Sequence, residues 1–120
     1  MEKVNMKVVT VDILKAITEL KKIASDYPST WNTFPLAIYR TSTSPHFTDA
    51  SGQELQSRWN ITIELFSNTS LTDITAQLLQ KFGDIGFTGT SKDANTADLR
   101  RVIIDLSAIV DNKTNYVYSK

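Results

Sequence analysis

The chain has 120 residues, 13 basic and 13 acidic side chains, a formal net charge of zero and no cysteine. That length fits one domain, residues 1–120, and buries roughly two thirds of the surface that the unfolded chain exposes. Disulfide frameworks and thiolate zinc sites are excluded, and the even mixture of charges speaks against a nucleic-acid surface or a polybasic membrane patch. No apolar run approaches a membrane span, and none reads as the apolar segment of a signal peptide, so the expected setting is a reducing cytoplasm.

Residues 1–9 read as a lead-in. Residues 11–24 carry an apolar stripe, Ile13, Leu14, Ile17, Leu20 and Ala24, with Ile23 at its margin, and the spacing predicts a helix. Thr10 would be its N-cap, Asp12 would sit at the positive end of the helix dipole, and Lys15, Glu19 and Lys22 would line its outer side. Pro28 ends it. Residues 29–34 form a loop holding Trp31, and residues 36–40 an apolar strand. Residues 41–52 are rich in Ser, Thr and Asp and read as a long loop or flared hairpin tip.

Residues 55–66 alternate cleanly. Leu55, Trp59, Ile61, Ile63 and Leu65 share one face, interrupted only by Ser57; Gln56, Arg58, Asn60, Thr62 and Glu64 share the other. The period then changes, and Leu71, Ile74, Leu78, Leu79 and Phe82 form a helical stripe. Ser70 and Asp73 match a capping box, with Gly83 and Gly86 as stop signals. Residues 85–90 predict a short strand and residues 91–98 a polar turn. Residues 99–111 are strand with apolar groups on both faces. Residues 112–113 turn the chain, and residues 116–118 give a last short strand or a docked tail.

The resulting class is α+β: an antiparallel sheet of about four strands, in the order α-β-β-α-β-β, with two helices packed on one face and the other face partly open. Trp59 should be buried between sheet and helix.

Catalytic and cofactor signatures are sparse. The lone histidine, His46, lies in the polar loop and supplies one ligand where a catalytic zinc needs about three. No serine elbow or phosphate loop is present. Asp49 and Glu54 flank Gly52 like a carboxylate pair, but their polar surroundings suit solvated loop acids. Asp93, Asn95 and Asp98 resemble part of a calcium loop without its Gly and distal Glu. Arg58, Arg100 and Arg101 suit either solvated strand ends or interface anchors. Sequons at Asn60, Asn68 and Asn112 read as chance matches. The chain is expected to be no enzyme and to need no cofactor or metal.

Pro35-Leu36-Ala37-Ile38-Tyr39-Arg40, the polar loop, Asp49 to Gly52-Gln53-Glu54, and Trp59-Asn60-Ile61-Thr62-Ile63-Glu64-Leu65-Phe66 resemble the tail-completion, or tail-terminator, proteins of long-tailed bacteriophages and prophages. Ile85-Gly86-Phe87 and Val110-Asp111-Asn112-Lys113 before Tyr116-Val117-Tyr118 extend the likeness over residues 35–118. The resemblance implies a non-enzymatic virion protein, assembled in the host cytoplasm as a ring, typically hexameric. That ring would cap the tail tube or join tail to head, with the tail-tube protein and the head–tail connector as partners. DNA would pass through the ring without specific recognition. A neck connector one layer higher, a generic adaptor or binding module, and a small hydrolase or nuclease are the competing readings. Residues 41–52 and 91–98 would make the axial contacts. Arg40, His46, Phe47, Asp49, Glu54, Arg58, Asp93, Arg100 and Arg101 are the expected subunit or partner contacts.

Overall fold

The computed structural model describes residues 4–118. The elements run α1 (Met6–Lys15), β1 (Lys22–Ala24), β2 (Leu36–Thr48), β3 (Glu54–Ser67), α2 (Thr72–Asp84), β4 (Thr88–Asp93), β5 (Arg100–Asp111) and β6 (Val117–Tyr118). The expected α+β class holds, but the sheet has six strands instead of about four, in the order β1-β2-β3-β5-β4 with β6 also on β5. All pairings are antiparallel except β1 on β2.

The first helix departs from expectation. It starts at Met6, not at residue 11, and stops at Lys15. Asn5 is its cap, its side-chain oxygen accepting from the Lys7 N–H at 3.0 Å. Thr10, expected as the cap, lies inside the helix, fully buried, and donates its hydroxyl to the Met6 carbonyl at 2.8 Å. Residues 22–24, expected in the helix, are a strand: Lys22, Ile23 and Ala24 pair with Leu36, Ala37 and Ile38. Glu19, expected on the outer side of that helix, lies beyond its end and accepts from Gln77 of α2 at 2.6 Å.

The remaining differences are smaller. The strand of residues 36–40 continues to Thr48, so residues 41–48 are one side of a long hairpin arm that β5 flanks as far as Gln56, with only 49–53 as its tip. β4 begins at Thr88 and extends through Asp93, into the stretch expected to be a turn. Ser70 accepts from the Thr72 N–H at 3.3 Å, one position short of the Asp73 N–H that a capping box would use.

Both helices cover one sheet face. Met6 and Leu14 of α1, Leu78 and Phe82 of α2, and Trp59, Ile61, Ile63, Leu65, Val102, Ile104, Leu106 and Ala108 of the sheet form one core. Trp59 is buried as expected. Ser57, the polar break in that face, is explained by Asn112. The Asn112 amide donates to Ser57 Oγ at 2.9 Å and accepts from the Val4 N–H at 3.1 Å. A buried polar side chain needs such partners, and this one ties the chain's start to its end. The sequon at Asn112 therefore lies on a buried amide.

Gly86 is required where α2 turns toward β4. Its φ is +102°, and a Cβ there would lie 2.6 Å from the Val117 carbonyl oxygen of β6.

The molecule is long, 52 × 27 × 23 Å, because β2, β3 and β5 all run well past β1 on one side. Among the described residues the order β1-β2-β3-β5-β4 leaves open edges on both sides: the outer edges of β4 and β6 on one, and of β1 and of β2 beyond Ile38 on the other.

Candidate functional site

The sheet face away from the helices is covered at one end only. The connection between β1 and β2, residues 25–35, joins two parallel neighbours and carries Tyr27 and Trp31 over that end. Trp31 meets Phe66 of β3 edge-on, with ring centroids 4.9 Å apart and planes at 72°. Tyr27 meets Phe66 at 6.3 Å and 78°. Edge-on contacts place the positive ring edge on the negative ring face. Tyr27 and Trp31 nonetheless stay 49% and 41% exposed, so the cluster is an open surface, not a second core.

Beneath the strap lies Glu64. On this face β2, β3 and β5 align Ile38, Glu64 and Ile103 in one row. Arg40 is two residues along β2 and Arg101 two residues back along β5, so both are diagonal neighbours of Glu64, within reach of long side chains. Arg40 donates to Glu64 at 2.7 Å. Arg101 donates through Nε at 3.1 Å and through a short contact from Nη2. The Tyr27 hydroxyl donates at 3.1 Å to the same carboxylate. Arg40 also lies 5.0 Å above the Tyr27 ring and Arg101 5.6 Å from the Phe66 ring centre.

The electrostatics follow. Burial opposes ionisation of Glu64, whose side chain is 6% exposed, but the bonds from Arg101, Arg40 and Tyr27 outweigh it. The carboxyl is held below the usual carboxylate range. The same bonds raise both arginines. Glu64 is therefore an ionised hub with both oxygens engaged, a poor general acid or base near neutrality. What it builds is a surface: a cleft of about 320 Å³ lined by Tyr27, Trp31, Phe66, Thr96, Leu99 and Arg101. Aromatic rings beside an arginine fork are the composition of protein–protein anchor points.

The residues expected as contacts fall in several places. Arg40 and Arg101 meet at Glu64. His46, Phe47, Asp49 and Glu54 lie at the arm tip, His46 inside a register shift between Pro45 and Phe47. Asp49 and Glu54 do not act as a pair. The Asp49 carboxylate accepts from the Ser51 and Gln53 N–H groups at 3.0 and 2.9 Å, and Glu54 contacts Ser57 Oγ. The Gln53 N–H bond is the main cause of the lowered Asp49 pKa. Arg58 stands midway along the arm, between Ser44 and Ile109. Asp93 and Arg100 border a separate groove with Asn95. Asn95 is committed to the turn, its side-chain oxygen accepting from the Arg101 N–H at 3.0 Å.

Sequence reasoning missed Glu64, Tyr27, Trp31, Phe66, Thr96 and Leu99 as site residues. Their only signal was an acid on the polar face of the central strand, and it became readable once strand register placed two arginines beside it.

Among the described residues, no group of three His, Cys, Asp or Glu side chains could hold a metal ion, and no helix is long and apolar enough to cross a membrane. No known protein family, curated protein or solved structure matches the chain.

Proposed function

We propose that this protein is a structural assembly subunit that closes into a ring, of the kind that caps the tail tube of a long-tailed phage or joins tail to head. The observation that carries the reading is the long β2–β3 hairpin, whose tip extends beyond β5, together with open strand edges on opposite sides of the sheet. A subunit that presents two different patches on opposite sides joins its neighbours head to tail, and the chain closes when the rotation per subunit fits. The resemblance over residues 35–118 supports a hexamer and names the partners: the tail-tube protein below and the connector above. An ionised hub whose ion pairs are satisfied within the subunit, and a polar arm, suit a building block better than a reaction centre.

Removing the gene from the genome that carries it and imaging the particles tests this. Overlong tails support a terminator, and normal tails detached from filled heads support a joining protein. Intact particles of normal length would overturn the proposal.

A further inference from the structure

The arm tip and the aromatic cleft occupy opposite ends of one sheet face. Phe47 is 56% exposed and, between two register shifts, pairs with Gln56, on the same face as Glu64 and Phe66. The cleft sits at the Leu36–Phe66–Arg101 row, and the strand between it and Phe47 spans roughly 35 Å at the rise of an extended residue. Phe47 therefore cannot fill the cleft of its own chain. An apolar ring held in solvent at the end of an otherwise polar arm, and an unfilled aromatic socket at the far end, are complementary parts of two copies.

We infer that Phe47 of one copy seats in the Tyr27–Trp31–Phe66–Leu99 cleft of the next, head to tail, with Asp49 facing Arg101. The inference rests on the ring reading above and names the contact that would build the ring. Charge supports the pairing. The tip carries Asp49 two residues from Phe47. The cleft wall carries Arg101, which gives two of its five N–H groups to Glu64 and stays 27% exposed as a positive charge at the socket. A phenylalanine brings about 150–250 Å² to a contact, so it is the anchor of an interface and the arm supplies the remainder.

The test uses the full chain and two variants, Phe47→Ser, which lacks the knob, and Trp31→Ala, which lacks a wall of the socket. Both residues are exposed, and circular dichroism checks that both variants fold. Each variant alone should associate about thirtyfold more weakly than the wild type, the loss expected of an anchor residue. Mixed together, the two variants should form a one-to-one dimer and nothing larger, since only one productive knob–socket pair remains. In the wild type, emission from the exposed Trp31 should shift to the blue on association. Variants that assemble like the wild type, or a mixture with no dimer, would overturn the inference while leaving ring formation standing. A wild type that stays monomeric would overturn both.

Discussion

Arg101 grips Glu64 from the neighbouring strand through two guanidinium nitrogens while its own carbon sits 5.6 Å from the Phe66 ring centre. One side chain thus joins the ion pair beneath the strap to the aromatic surface above it. Loss of the carboxylate should disturb both.

Glu64→Gln is expected to lower stability by about 1–3 kcal/mol at neutral pH, taking charge-assisted hydrogen bonds and discounting for the exposure of Arg40 and Arg101. The pH dependence has a fixed sign. The folded-state pKa of Glu64 lies below its usual 4.5, so its contribution is fully present above that value and is lost as pH falls through the lower folded value. Denaturation curves of the two proteins should therefore converge on the acid side. A constant gap down to the lowest accessible pH would contradict the assignment.

Gly86→Ala should destabilise the fold by at least roughly 1–2 kcal/mol, the cost of a left-handed conformation for a residue with a Cβ. The close approach of the Val117 carbonyl adds to it. Chemical denaturation measures the loss. Gly83→Ala is the control, because a Cβ there meets nothing within 4 Å, and it should be neutral or slightly stabilising.

Asn112→Ala removes the acceptor of the partly buried Val4 N–H and one of the two partners of the buried Ser57 hydroxyl, which keeps its bond to Glu54. The expected cost is about 1–3 kcal/mol. Limited proteolysis should show earlier cleavage ahead of α1, and unchanged cleavage would remove Asn112 as the clip.

Trp59→Ala should cost about 3–5 kcal/mol, since the ring lies within the main core. Ile104→Asp should prevent folding altogether, because Ile104 is fully buried and the new charge would have no partner.

Much of the sheet is legible in the residues because burial on one face imposes a period of two. Ile61, Ile63 and Leu65 announce β3, and the helical stripe from Leu71 to Phe82 announces α2. The first helix is misread for a physical reason. Its interior is Val8, Val9, Thr10 and Val11, β-branched residues with low helix propensity, and packing of Met6 and Leu14 overrides that preference. Ile17, Leu20 and Ile23 continue the spacing after the helix has ended, so the stripe looks longer than the element. β1 has three residues, too few to display any period.

The site was less legible than the fold. Arg40, Glu64 and Arg101 are far apart in sequence, and their meeting depends on the register of three strands. The polar residues of the loops misled in the opposite direction. Asp49 and Asn95 look like ligands in a linear reading, yet their side-chain oxygens hold backbone N–H groups in tight turns.

The most direct test of the account is the mass of the wild-type protein in solution, followed by light scattering from dilute to the highest soluble concentration. The account predicts a discrete closed oligomer, a hexamer by the resemblance, growing in with concentration at the expense of the monomer. A monomer at every concentration, or an open-ended series with no closed species, would contradict it.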